Sequence, residues 1–188
     1  MKEQDYKQPN FYHFSQDSIE IVDYLCERFK DRGDLKVLDL CAGSGVVGIE
    51  FCLKYKKISK VIFLEKQIEF IKNLEFNIQN YIPNKLSQII NVDFQDFSTE
   101  ELFDLVICNP PFYLKGSARV SPSNKKNICH FMSEKEMTSL FDLFESLKSR
   151  GAEVWFLGRP NLDYIRRLES IGRIHLVKDL GKTAIFSV

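Results

Sequence analysis

The chain has 188 residues, 44% hydrophobic and 28% charged with 9 Gly and 6 Pro, a composition that fits one ordinary globular domain and excludes collagenous or disordered chains. Its longest apolar runs, such as Val61–Leu64 and Leu105–Cys108, fall far short of the roughly 20 residues that cross a bilayer, and MKEQDYKQPN has neither the apolar region of a signal peptide nor an amphipathic transit helix. Lys plus Arg and Asp plus Glu balance at 26 each, so net charge gives no reason to expect a polyanionic partner. Five cysteines (Cys26, Cys41, Cys52, Cys108, Cys129) show no C-x-x-C spacing, and reduced, mostly buried thiols in a cytoplasmic protein are expected.

Residues 1–32 read as an N-terminal helical segment. From Gln16 to Lys30 the apolar Ile19, Val22, Leu25, Cys26 and Phe29 recur at helical spacing, with Ser15 or Asp17 available as a cap. Gly33 and Asp34 punctuate the chain, Lys36–Leu40 is a short buried strand running into a Gly-rich turn, and a helix follows from Val46 to about Tyr55. Lys60–Glu65 is strand-like, and Ile68, Ile71, Leu74 and Ile78 make a helical stripe that stops before Pro83. Ser87–Asp93 and Phe103–Asn109 read as strands, and residues 113–133 as a loop. Ser133 and Glu136 have capping-box spacing, opening a helix that Gly151 ends. Ala152–Gly158 is a strand, Asn161–Ile171 a helix, and Arg173–Asp179 with Lys182–Val188 two strands joined at Leu180–Gly181. Alternating strands and helices predict an α/β fold: a doubly wound, mostly parallel seven-stranded sheet with an antiparallel C-terminal hairpin strand, in one domain spanning 1–188.

Two motifs carry chemistry. VLDLCAGSGVVGIE (Val37–Glu50) places Gly43, Gly45 and Gly48 as G-x-G-x-x-G between a strand and a helix, and Glu65 ends the next strand where an acid can bind ribose hydroxyls. A dinucleotide fold is one candidate, and glycines serving only tight strand-to-helix packing are another. Asp39, at the strand end ahead of the glycines, would repel a pyrophosphate and suit the cationic amino-acid end of S-adenosylmethionine. The second motif is NPPF at Asn109–Phe112, after the fourth strand, where ligands of open α/β sheets bind. Two prolines remove two backbone donors, so Asn109 and the Pro110 carbonyl can accept both hydrogens of a planar exocyclic amine on which Phe112 stacks. The plain alternative is a stiff turn with a core Phe.

With VLDLCAGSG and NPPF in this order, the chain resembles the class I S-adenosylmethionine-dependent methyltransferases that modify planar nitrogen. It is most similar to the bacterial tRNA(Val) adenine-N6 methyltransferases, whose aromatic-x-Phe-Ser-x-Asp segment matches YHFSQD (Tyr12–Asp17); the resemblance runs from about Tyr12 to Pro160. NPPF also resembles the turn of guanine-N2 methyltransferases of ribosomal RNA and, as NPPY, that of release-factor glutamine methyltransferases, so both substrates stay open. An NAD-binding Rossmann protein and a non-catalytic RNA-binding module are more distant alternatives. The resemblance implies a Rossmann-like fold with S-adenosyl-L-methionine as cofactor, its methionine part surrounded by Asp39, Cys41, Ala42, Gly43 and Gly45. It implies that Glu65 holds the ribose, Asp93 and Phe94 the adenine, and Asn109, Pro110, Pro111 and Phe112 the base to be methylated. Cys41 stands where Gly is frequent in that family.

Charge is uneven along the chain. Residues 1–110 hold 13 basic and 18 acidic side chains, residues 111–188 hold 13 basic and 8 acidic, and Tyr113–Ser133 has no carboxylate at all. Following NPPF directly, Lys115, Arg119, Lys125 and Lys126 are expected to hold RNA phosphates, with tRNA as the partner; a solvated loop is the plainer reading. His13, His130 and His175 are scattered without metal-site spacing, so no metal is expected, and the protein is expected to be a monomer.

Overall fold

The computed structural model of the protein describes residues 5–116 and 120–188. Its strands are β1 (Leu35–Leu40), β2 (Ile58–Leu64), β3 (Ser87–Ile90), β4 (Leu105–Cys108), β5 (Tyr113–Leu114), β6 (Phe131–Met132), β7 (Glu153–Gly158), β8 (His175–Asp179) and β9 (Ala184–Ser187). The helices are α1 (Asp17–Phe29), α2 (Val46–Lys54), α3 (Ile68–Tyr81), α4 (Asn124–Ile128), α5 (Glu134–Ser149) and α6 (Asp163–Ser170). Seven strands form one sheet in the order β3-β2-β1-β4-β7-β9-β8. β1 to β4 and β7 are parallel, and β9 inserts between β7 and β8 antiparallel to both. This is the mostly parallel sheet with a reversed C-terminal strand expected of a Rossmann-like class I methyltransferase fold.

Alternation along each strand splits the interior into two cores. Val37, Val61, Phe63, Ile107 and Trp155 face α1, α2 and α3, meeting Leu25, Phe29, Phe51 and Leu74. Leu38, Leu40, Ile62, Val106, Val154 and Phe156 face the other way, onto Leu140, Phe144 and Leu147 of α5 and Ile165 of α6. A sheet covered on both faces needs apolar residues at successive positions, which is why its strands read as continuous apolar runs. Each fully buried Leu, Ile or Phe contributes about 1.5–3 kcal/mol, so these two layers carry the fold.

Several local expectations change. Gln16 takes the N-cap position of α1 without a side-chain bond, while Asp17 lies inside the helix and accepts the Ser18 amide, so neither expected cap forms. β3 ends at Ile90 because Asn91 turns its Nδ2 to donate to the carbonyls of Glu65 and Lys66, and Asp93 then caps the 3-10 turn Phe94–Asp96. Residues 113–133 are not a plain loop: Ser123 caps α4, and β5 and β6 form a small parallel pair. Of the five free cysteines only Cys52 and Cys108 are buried, the other three being half-buried.

Candidate active site

The order of the sheet reverses between β1 and β4, and beyond their carboxyl ends lies an open cleft. Its floor is the turn from β1 into α2. Cys41 (φ 62°), Gly43 (φ 55°) and Gly45 (φ 81°) all adopt left-handed backbone, coiling the chain tightly enough to start a helix directly above the strand. Gly45, the N-cap of α2, has no side chain to cap with. The cap comes instead from β1, where Asp39 Oδ2 accepts the Gly48 amide at 2.8 Å. A Cβ on Gly48 would sit 2.8 Å from that oxygen and 2.6 Å from the Phe63 ring, so glycine is required for the contact. Asp39 is 1% exposed. Burial pushes its carboxyl up to about 7, against the pull of the Gly48 amide and with a further push from Glu65. It supports the floor from beneath rather than lining the cleft.

The second wall rises from β2. Glu65 Oε2 accepts the Gly43 amide at 2.8 Å and Oε1 the Gln67 amide at 2.7 Å, so one carboxylate fastens the turn after β1 to the turn after β2. Burial raises the Glu65 pKa, while these two amides and Lys66 oppose the rise. Inside the cleft, Ser44 Oγ and Gln67 Oε1 are buried with no hydrogen-bond partner among the described residues. Unsatisfied buried polar atoms are rare in folded proteins, and both of these belong to residues on the cleft lining. Tyr12, Phe14 and Phe70 add an aromatic wall, with the Tyr12 and Phe70 rings edge to face at 5.9 Å.

The third wall is the diproline turn. Asn109 Nδ2 donates to Ser18 Oγ at 3.1 Å, which orients the amide; Ser18, in the first turn of α1, is itself buried. Asn109 and Pro111 line the cleft. Pro110 is buried behind it, and Phe112 packs against the α1–α3 core with its carbonyl accepting the Tyr164 hydroxyl at 3.0 Å.

Of the residues singled out from sequence, Cys41, Ala42, Gly43, Glu65, Phe94, Asn109 and Pro111 meet in the cleft. Asp39, Gly45, Asp93, Pro110, Phe112, Lys115, Lys125 and Lys126 are not on its lining, and Arg119 lies outside the described residues. Gly45 is conformational: a Cβ there would run into Leu74 Cδ1. Asp93 pairs with Lys66 at 3.3 Å, Lys115 with Glu136 at 3.2 Å and Lys125 with Glu69 at 3.1 Å. Sequence reasoning missed Ser18, Ser44, Gln67, Phe70 and Cys129. Only Ser44 carried a local signal, lying inside the Gly-rich turn. Among the described residues no group of three or more His, Cys, Asp or Glu is placed to hold a metal, and no helix is long and apolar enough to cross a membrane.

Residues 11–132, which contain every lining residue of this cleft but Gln8, match the methyltransferase small domain family. The chain belongs to that family. Among curated relatives of this methyltransferase small domain is the ribosomal RNA large subunit methyltransferase G of Aeromonas salmonicida, 22% identical over 84% of this chain and 39% of its own length. The release factor glutamine methyltransferase of Mycoplasma mycoides is 33% identical over 49% of this chain and 33% of its own. The chain thus spans well under half the length of these relatives. Among solved structures, the hMettl16 catalytic domain in complex with MAT2A 3′UTR hairpin 1 superposes with a TM-score of 0.65 at 13% identity, over 97% of this chain and 72% of that one. The ribosomal protein L11 methylase of Lactobacillus delbrueckii gives 0.61 at 16% identity, over 92% and 78%. S-adenosylmethionine is the cofactor of this domain, and the cleft fits it: a glycine-built floor, a carboxylate at the end of β2, the apolar face of Phe94, and two unpartnered polar atoms.

Proposed function

We propose that this methyltransferase small domain transfers a methyl group to the exocyclic N6 of an unpaired adenine in RNA, with tRNA as the substrate. The observation that carries the reading is the Asn109 amide: its nitrogen is committed to Ser18, so its Oδ1 is the atom left to accept a proton-bearing nitrogen beside the cofactor turn. The bound cofactor supplies an electrophilic methyl group on sulfonium sulfur. Glu65 holds the ribose hydroxyls with its remaining lone pairs, and Ser44 Oγ and Gln67 Oε1 complete the cofactor's polar contacts. Asn109 Oδ1 accepts an N–H of the target amine, drawing its lone pair out of ring conjugation as positive charge grows on nitrogen, while Pro110, buried behind the lining, stiffens the turn that presents Asn109. Most of the acceleration comes from holding two reactants in line, which needs neither a metal nor a covalent enzyme intermediate. A base stacked inside a duplex could not reach Asn109 in the cleft, so the adenine must be unpaired or flipped.

Support for RNA comes from the ribosomal RNA relative and the RNA-bound structural neighbour. A protein glutamine is the second reading, favoured by the release factor methyltransferase relative, since a side-chain amide presents the same planar NH₂. The test is transfer of labelled methyl from S-adenosylmethionine to tRNA, ribosomal RNA and protein fractions of cells lacking the gene, followed by nucleoside analysis. Label in N6-methyladenosine of tRNA is the expected result; label confined to protein would replace it with the glutamine reading.

A further inference from the structure

Basic side chains near the cleft fall into two classes. Lys66 bridges Asp93 and Glu136, Lys115 pairs with Glu136, and Lys125 with Glu69, so their charge is already balanced. Lys126 and Arg159 have no carboxylate partner among the described residues, although they come from distant segments, α4 and the turn after β7. The fold brings their segments together. Tyr113 N donates to the His130 carbonyl at 2.9 Å, setting His130 beside the strand that leaves NPPF, and the His130 ring lies 6.0 Å from that of Tyr12 on the cleft wall. The Arg159 guanidinium rests over the rings of Phe112 and Tyr113, at 5.6 Å and 4.9 Å. Its Nε is buried with no acceptor, leaving a charged donor without the hydrogen bond such a group demands. Burial, and then the charges of Lys126 and Arg159, hold His130 below the ordinary histidine range.

We propose that Arg159, Lys126 and His130 form a phosphodiester-binding subsite at the rim of the cleft, which grips the RNA backbone next to the base delivered to Asn109. This deepens the RNA reading and rests on it. Arg159 is the anchor because its planar fork can chelate two phosphate oxygens while its face stays on the aromatic pair. Phe112 is therefore the platform of the anchoring cation, and through the Tyr164 bond to its carbonyl α6 is tied to the same spot. A peptide carrying a glutamine has no phosphate to place there.

The test is fluorescence anisotropy of a labelled single-stranded oligoadenylate RNA bound to the whole protein across a salt series. Arg159→Ala is expected to weaken binding about tenfold or more and to reduce the log–log salt slope by about 0.7, the counterions of one contact. Arg159→Lys is expected to keep the slope, and cofactor affinity by calorimetry is expected to stay unchanged in both. Arg159→Gln, which keeps the packing on the rings, replaces the alanine variant if that one is unfolded. Lys178→Ala, an exposed cation on β8, controls for general charge. If the parent binds RNA with a steep slope and the Arg159 variants match the Lys178 variant, the subsite is wrong and the RNA reading stands. If the parent shows no salt-dependent RNA binding, the RNA reading fails and the subsite falls with it.

Discussion

Asn109 and Asp39 show two ways in which a single polar side chain is committed. Asn109 faces the cleft with one end of its amide already bonded, and in the reaction proposed above its Oδ1 acts on the substrate amine. Asn109→Ala is expected to lower kcat by about 10²–10³ with little change in cofactor affinity; single-turnover rates and calorimetry separate the two, and a defect confined to affinity would make Asn109 structural. Asp39 is buried, and its carboxyl rises from the ordinary 3.8 to about 7. Between those values the folded protein keeps a proton that the unfolded chain has released. Stability therefore falls as pH climbs from about 4 to about 7, with a slope reaching roughly 1.4 kcal/mol per pH unit. Asn in place of Asp39 can still accept the Gly48 amide without this penalty. The melting temperature of Asp39→Asn relative to the parent should therefore increase from about pH 5 to about pH 8. Glu65 contributes in the same sense to both proteins, apart from its push on Asp39, which the Asn variant also removes.

Helices here begin with devices of different strength, and α5 has the strongest. Ser133 Oγ accepts the Glu136 amide while Glu136 Oε2 accepts the Ser133 amide at 2.7 Å, and the bonds from Ser133 with Lys115 and Lys66 nearby hold Glu136 down at about 2 against the effect of burial. Ser133→Ala is expected to cost about 1 kcal/mol, a fall of about 2–4 °C in Tm measured by scanning calorimetry. This element was legible in the sequence because its signals are local: a Ser-x-x-Glu start, a Met137–Leu147 stripe and a terminal Gly. So were β1, β2, β4, the hairpin and both chemical motifs, each a contiguous string. The 113–133 region was not, since a five-residue helix shows no periodicity and its two-residue strands pair across sixteen intervening residues. The same reason hid half the cleft. Ser18 meets Asn109 across 91 positions, and Gln67 meets Cys129 across 62. Asp39 was noticed for its charge, but only the packing reveals that it caps a helix.

Across the whole molecule, the cleft depends on a segment that has no regular structure of its own. Residues 5–14 cross α2 and α3 and are fastened at Tyr6 to Glu50, at Asp5 to Tyr81 and above all at Lys7 to Asn77. Asn77 is fully buried; its Oδ1 accepts the Lys7 amide, and its Nδ2 donates to the carbonyls of Lys7 and Ser44. One side chain thus joins the segment that carries Tyr12 and Phe14 to the floor of the cleft. Asn77→Ala should cost about 2–3 kcal/mol by orphaning those backbone groups. It should also weaken cofactor binding, measured by calorimetry at a temperature where the variant stays folded. Unchanged affinity would mean the aromatic wall is held by other contacts.

Tyr12 and Phe14 of the aromatic wall, and the residue that orients Asn109, belong to chain that precedes β1. Strands and crossover helices cannot accept insertions without shifting every neighbour, but a segment laid across them from outside the alternating pattern can. Substitutions at Tyr12, Phe14 or Ser18 would therefore reshape the side of the cleft that faces Asn109 while leaving the register of the sheet as it is.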